Sequence, residues 1–549
     1  MAKNIPAIAG TSKKLAKKTS QRKKARSDQI KNSEGGYVFE LDAWKKLDRF
    51  LILGTEGGTY YISEKKLTTK NAKSVAKLLK EDGKRVVDRV VEISEAGRAL
   101  KNDSAIFVLA MAASCDDLEV RSYALHSLSR VARIGTHLLT FIAYSSGLRG
   151  WGKGLHRAIH RWYNDMNPGR LSFQVCKYAS RRLEKDSAWS HRDLLRKVHI
   201  KPSSEEHNAI YRYVTKGREG FSDSKWDALK DKDATRYLWA HEEAKKASSA
   251  KELVDLIDAF RLAHESIPTQ FKSDKSVWDV LVKNMPVTAT IRNLGNMTKI
   301  GTLSPLSDEV DIVVERLGDK EVLRNGRVHP LSVLGALKVY GSGQGFRGKG
   351  FWTPVDQVMD ALDRAFYDSF EFVEPTGKRF LLGIDVSGSM GWCGPAGMDC
   401  LTCAEGAAAM AMTIARTESK YKIMGFAHEF RDLGIIASDS LQSALNKTGI
   451  NNFGGTDCAL PMIYAKENKL PVDCFVVLTD SETWFGDIHP CQALADYRRS
   501  MGIDSKLVVV GMEGNKFTIA DSKDASMLDV VGFDQSFPTI LAEFAKGNV

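Results

Sequence analysis

The 549-residue chain is short of several things, and each shortage narrows what it can be. No apolar run approaches the roughly 20 residues that a helix needs to span a bilayer. The start lacks the apolar core of a signal peptide, so a cytoplasmic protein with no membrane partner is expected. Only eight cysteines occur, scattered through apolar stretches rather than spaced as a framework, which points to reduced thiols and not disulfides. Cys393, Cys400 and Cys403 cluster in one segment, but three thiols without an evident fourth ligand make a poor zinc site. The glycine-rich run from Gly341 to Gly350 lacks the spacing, and the Ser or Thr, of a nucleotide loop; it reads as a flexible loop that leaves Arg347 and Lys349 free to reach a partner. Acidic residues are nearly missing from residues 1–31, which hold ten Lys or Arg against Asp28 alone. The net charge of +11 therefore sits almost wholly in that arm, and the rest of the chain is close to neutral. So polar a segment cannot bury enough surface to fold alone, and residues 1–32 are expected to be a disordered basic arm able to grip phosphates.

What is present is organised around Phe380-Leu381-Leu382-Gly383-Ile384-Asp385-Val386-Ser387-Gly388-Ser389. A short apolar run bounded by turn residues reads as a strand buried on both faces of a parallel sheet. At its carboxyl end, where ligands bind in open α/β sheets, stand one carboxylate and two hydroxyls. These are hard oxygen ligands, suited to magnesium or calcium rather than zinc. Gly454-Gly455-Thr456-Asp457 offers a further hydroxyl and carboxylate, and Cys474 to Asp480 is a second apolar strand ending in an acid. The three clusters together resemble the metal-ion-dependent adhesion site of von Willebrand factor A domains. That resemblance assigns Asp385, Ser387, Ser389, Thr456 and Asp480 to one divalent cation, most simply magnesium. His428 and His489, the nearest histidines, stand in no catalytic spacing, so no enzymatic activity is expected.

Upstream, helix-period segments follow one another from about Lys65 to Tyr367 with no clean strand. Val75, Leu78 and Leu79 give one apolar face, then Val86, Val87, Val90 and Val91 the next. An array this long suggests a solenoid of helical hairpins. Between Trp151 and Ser204, cations and planar rings intermingle. Arg157 and Arg161, then Lys177, Arg181 and Arg182, then His191, Arg192 and Lys201 recur among Trp162, Tyr163, Tyr178 and Trp189. Such a mixture suits RNA, whose phosphates meet cations while exposed bases stack on rings. Lys177 and Arg181, four apart on a helix, would share one face.

Several stretches resemble the Ro autoantigen family, ring-shaped RNA-binding proteins built from a TROVE module and a von Willebrand A-like domain. They include Ser-Glu-Gly-Gly-Tyr-Val (33–38), Glu-Gly-Gly-Thr-Tyr-Tyr (56–61), Trp-Ser-His (189–191), Lys-Pro-Ser-Ser (201–204), Arg-Asn-Leu-Gly (292–295), Val-Glu-Pro-Thr-Gly-Lys-Arg-Phe-Leu-Leu (373–382) and Gly-Gly-Thr-Asp-Cys (454–458). The resemblance implies a HEAT-like helical ring over residues 33–372, closed by a doubly wound α/β domain over residues 373–549. It implies Y-type noncoding RNA on the outer surface and single-stranded ends of misfolded or decaying RNA in the hole. Arg292 and Arg347 join the candidate RNA contacts on this reading. A monomer within a ribonucleoprotein is expected, working with a 3′-to-5′ exoribonuclease such as polynucleotide phosphorylase. The other reading is a metal-dependent protein-binding scaffold without a primary RNA role.

Overall fold

The computed structural model describes residues 18–53, 73–99, 101–177, 189–346, 350–370, 374–392, 394–395, 400–448, 454–534 and 536–547. The chain divides into two compact units, residues 73–369, and residues 1–72 together with 370–549.

Within 73–369 helices follow one another from Lys73–Ala96 to Asp356–Asp368. The faces expected from the 3.6-residue period are the buried ones. Val75, Leu78, Leu79, Val86, Val87, Val90 and Val91 all lie inside, on two stretches that meet at a kink at Asp82 (φ −152°, ψ 68°). Asp103–Ala112 is apolar all round because all of it after Asp103 is buried. Among the described residues this unit has one isolated bridge, Gln344 to Phe351, and no strand.

The other unit holds the strands β1 (Gln29–Lys31), β2 (Tyr37–Glu40), β3 (Phe380–Asp385), β4 (Tyr421–Phe426), β5 (Phe430–Asp432), β6 (Cys474–Thr479), β7 (Lys506–Gly511), β8 (Phe517–Thr518) and β9 (Met527–Val531). Six of them form one sheet in the order β5-β4-β3-β6-β7-β9, parallel except for β5. β3 and β6 are buried at every position, as their unbroken apolar runs require. The chain runs from β3 out to β4 and returns on the other side of β3 as β6. The order reverses there, so the crevice at the carboxyl ends of β3 and β6 is the natural ligand position.

The amino-terminal boundaries differ from the expected ones. The expected arm, residues 1–32, is structured from residue 18 onward; residues 1–17 lie outside the described residues. β1 and β2 pair with β8 in a separate three-stranded antiparallel sheet. Ile30, Val38 and Phe39 pack on the core of the α/β unit. The helix Ala43–Leu53 also belongs there and not to the helical unit. Its Arg49 is 1% exposed and its Nη2 lies 2.7 Å from Asp529 Oδ1, itself 2% exposed. The physical reason is that a short segment with few apolar residues need not fold alone if it adds strands to a surface that already exists. Its buried polar side chains are amides, Gln21, Gln29 and Asn32, which satisfy groups that would otherwise be stranded. Composition registers such residues as solvated.

Candidate metal centre and basic-aromatic surface

Of the sequence-derived metal set, Asp385, Ser387, Ser389 and Asp480 lie at the carboxyl ends of β3 and β6, and Thr456 packs against the turn that follows β6. Asp385 ends β3, 0% exposed; Asp480 follows β6, 3% exposed. Both oxygens of Asp385 are held. Oδ1 accepts from the Ser387 N–H at 3.0 Å and Oδ2 from the Thr479 hydroxyl at 2.6 Å. Ser387 Oγ and Ser389 Oγ are 3.2 Å apart. Ser389 lies close to the Asp480 carboxylate, whose Oδ1 accepts from the Glu482 N–H at 2.9 Å. Thr456 is buried, and its carbonyl accepts from Trp484 N and Phe485 N at 3.1 and 3.0 Å. Its hydroxyl makes no hydrogen bond among the described residues.

The electrostatics fit a cation. Burial, reinforced by Asp480, pushes the Asp385 carboxyl above its usual range, and burial does the same to Asp480. Neither has an ion-pair partner among the described residues. Two buried acids facing one another without a counter-charge are costly, and a divalent cation removes the cost. Among the described residues no three His, Cys, Asp or Glu side chains converge on a metal position. The donors are thus two carboxylates and hydroxyls, a set that fits a hard, partly hydrated cation such as magnesium. Of the three clustered cysteines, Cys393 lies outside the described residues, Cys400 is half-buried and Cys403 is buried.

Sequence reasoning missed the groups that hold this centre in place. Thr479 accepts from the Ser481 N–H at 2.9 Å while donating to Asp385, so one hydroxyl fixes both the acid and the turn after β6. A hydroxyl closing an apolar strand was the available signal. Gln21, 0% exposed, donates to Asp457 Oδ1 at 2.6 Å and to Ile488 O at 3.0 Å, and accepts from the Thr483 hydroxyl. Asn32 donates to Thr483 O at 2.8 Å, and the Ser33 N–H donates to Glu482 Oε2 at 3.1 Å. Gly36 is required in this clasp, because a Cβ there would lie 1.8 Å from Thr483 O. Asn515 forms a bridge, its Oδ1 accepting from Arg49 and its Nδ2 donating to Asp480 O. No sequence motif announces contacts between positions so far apart.

The candidate RNA contacts fare less evenly. Arg157, on the helix Lys153–Asp165, is exposed, as are Arg192, Lys201 and, on the helix Val287–Ile300, Arg292. Arg161 is partly exposed and donates to Leu125 O at 3.1 Å. Arg181, Arg182 and Arg347 lie outside the described residues. Two expectations are corrected. His191 is 4% exposed and Nδ1 sits 2.6 Å from the Tyr163 hydroxyl, so it cannot reach a base or phosphate. It opens the helix His191–Val198, capped by Ser190, whose inner face packs on the buried rings of Trp162 and Tyr163. Burial drives its pKa down to about 4. Lys177 is not a free cation; its Nζ lies 3.2 Å from Glu265 Oε1 and 5.5 Å over the Phe173 ring. What the same region does expose is a ring cluster. Trp151 and Trp189, both half-buried, meet at 4.9 Å, and the exposed Lys197 lies 4.9 Å over Trp151.

Comparison with known proteins follows from this geometry. Residues 30–270 and 261–339 match the family model described as the TROVE domain, and residues 379–545 match that of the Ro60 vWA domain. The chain is 39% identical over 523 residues to a protein named RNA-binding protein RO60 from Deinococcus radiodurans, spanning 95% of this chain and 96% of that one. It is 33% identical over 599 residues to a protein of the same name from Caenorhabditis elegans, spanning 96% and 92%. Among solved structures, the crystal structure of the Deinococcus radiodurans RO (RSR) protein matches with a TM-score of 0.69 at 40% identity. That match covers 92% of this chain and all of the other. Among the described residues no helix is long and apolar enough to cross a membrane.

Proposed function

The chain belongs to the Ro60 family, and from that premise we propose that it is an RNA-binding protein of a ribonucleoprotein particle. The observation that carries the reading is similarity along nearly the whole length to two proteins named for RNA binding. The surface supports it chemically. Arg157, Arg192 and Lys201 offer cations to phosphates, while the Trp151–Trp189 pair offers planar faces to unpaired bases. The RNAs are small Y-type noncoding RNAs and the single-stranded ends of misfolded or decaying transcripts, in the cytoplasm. The protein binds and presents these strands and leaves their degradation to a 3′-to-5′ exoribonuclease.

The metal centre is part of the same proposal. Asp385, Ser387, Ser389, Thr456 and Asp480 would hold magnesium, which supplies a Lewis-acidic position for an incoming oxygen ligand. The protein's own residues do the positioning, with Thr479 fixing the Asp385 carboxylate and the Glu482 N–H the Asp480 carboxylate. That centre also favours a second reading, a scaffold that receives a partner protein's carboxylate.

Sequencing the RNA that copurifies with the full chain tests the primary reading. Strong enrichment of a few small noncoding RNAs and of 3′-terminal fragments is expected. RNA that mirrors the total cellular pool would overturn it. Specific protein partners lost on magnesium chelation, with no enriched RNA, would establish the scaffold instead.

A further inference from the structure

The motif Arg292-Asn293-Leu294-Gly295 sits on the helix Val287–Ile300, and packing explains only half of it. Leu294 is core, 1% exposed. Gly295 lets the Trp352 ring approach, because a Cβ there would lie 2.6 Å from it. Asn293 has no such structural task. Together with Asn296 it lines a cavity of about 260 Å³ in the helical unit, closed by His264, Lys272, Trp278 and two aliphatic side chains, Ile267 and Leu281. That volume falls a little below the roughly 300 Å³ at which pockets for drug-sized ligands begin, and it suits one heteroaromatic ring system.

The walls are differentiated. Ile267 and Leu281 are buried and form an apolar floor. Trp278 is 4% exposed, and its Nε1 donates to Lys272 O at 2.8 Å, which fixes the indole and leaves its ring as the surface offered. The His264 ring lies beside it, 6.4 Å between centroids and tilted by 34°. Asn293 and Asn296 are three apart and so share a helix face. Asn293 Nδ2 donates to Ala289 O at 2.8 Å; its Oδ1, and the whole Asn296 amide, make no hydrogen bond among the described residues. The Lys272 side chain is exposed and has no ion pair among the described residues, and Arg292 stands exposed beside Asn293.

We infer that this cavity is a subsite for a single unpaired nucleobase of a bound RNA strand. The two amides supply paired donors and acceptors to the base edge, as Asn does to adenine. The aliphatic floor and the His264–Trp278 wall take the ring faces, and Lys272 and Arg292 take the phosphates on either side. The inference rests on the RNA-binding reading and adds to it a place where base identity is read, away from the Trp151–Trp189 pair.

The test is fluorescence anisotropy with labelled 12-nucleotide homopolymers of A, C and U, using the intact chain. Asn293→Leu with Asn296→Leu removes the hydrogen-bonding groups while favouring the helix that carries them. The double variant should lose about tenfold to a hundredfold in affinity for the best-bound homopolymer and should flatten the ranking of the three. Lys272→Ala should weaken all three alike. If the intact chain binds the homopolymers and the double variant binds them equally well, the subsite is wrong while the RNA reading stands. If the intact chain binds none of them, the RNA reading itself fails and the subsite with it. Adenosine monophosphate binding that depends on the two amides, with homopolymer affinity unchanged, would make this a small-molecule pocket and also overturn the inference. Should the double variant melt early, Asn296→Leu alone carries the test, since that position is exposed.

Discussion

At its sheet crevice the α/β unit buries acids, whereas the helical unit buries imidazoles, and the two choices have opposite electrical consequences. At the sheet crevice Asp385, Asp480, Asp457 and Glu482 are all held above their usual range, Asp457 to about 7 and Glu482 to about 8, with burial as the largest cause in each. In the helical unit burial lowers His137, His191 and His241 to about 4 each. A buried acid cluster invites a cation and is restless without one. A buried neutral imidazole needs no counter-ion and serves as a hydrogen-bonded polar piece of core, as His191 does against the Tyr163 hydroxyl. Titratable residues near a binding surface therefore mean different things in the two units.

Acid should separate them most strongly. Below the unfolded histidine pKa of about 6.5, the unfolded helical unit takes up protons that the folded one refuses. Its stability should fall as pH drops from 6.5 towards 4, by about 2 kcal/mol per buried imidazole at pH 5. The buried acids bind protons more readily folded than unfolded, so the metal-free α/β unit should gain stability over the same descent, from about pH 8 to pH 5. Hydrogen exchange read by mass spectrometry resolves the two units. Parallel responses to acid would break the comparison.

Removing one buried charge should have the next largest effect. Arg49→Met leaves Asp529 without its cation, and losing one partner of a buried pair costs about 3–5 kcal/mol. Denaturation should show the loss in the α/β unit alone. A cost below about 1 kcal/mol would mean that the amino-terminal helix is only draped on the sheet.

Asp385→Asn probes the acid cluster directly. The variant should lose magnesium-dependent stabilisation, about 2.7 kcal/mol at a hundredfold excess of magnesium over Kd. In chelator it should be as stable as the parent or more so, because a buried charge has been removed. Equal magnesium shifts in both proteins would dismiss the metal assignment.

On the helical side, Trp151→Ala should weaken single-stranded RNA binding by about 1–3 kcal/mol while leaving the magnesium response untouched. His191→Ala, by contrast, should lower the melting temperature. An RNA defect without destabilisation in His191→Ala would restore that residue to the binding surface.

The sequence was most readable where backbone geometry dictates side-chain position. Asp385 ends a buried strand and Ser387 and Ser389 follow it, so the apolar run places them at the sheet's carboxyl edge, while their grouping as metal ligands came from the resemblance. The alternation of apolar helical faces likewise told which side of Lys73–Ala96 faces inward. Cations on helices were less readable, because a lysine or histidine at the right spacing can turn either way. Lys177 found Glu265, and His191 turned inward, through partners 88 and 28 positions away in the chain. The amino-terminal segment was the least readable. Its fold depends on Gln21 meeting Asp457 and Arg49 meeting Asp529, and neither partner leaves a trace in the local pattern.

Arg49 and Asp529 are separated by 480 positions, which sets an order of events during synthesis. At about 5–20 residues per second, a ribosome delivers the second roughly half a minute or more after the first. Throughout that interval the strands β1 and β2 have no β8 to join. A message cut short before codon 515 would lack β8, leaving the outer edge of β2 without its partner at Phe39 and Glu40. The closing of that sheet therefore waits on residues near 517, and a product without them carries an exposed strand edge that quality-control proteases can recognise.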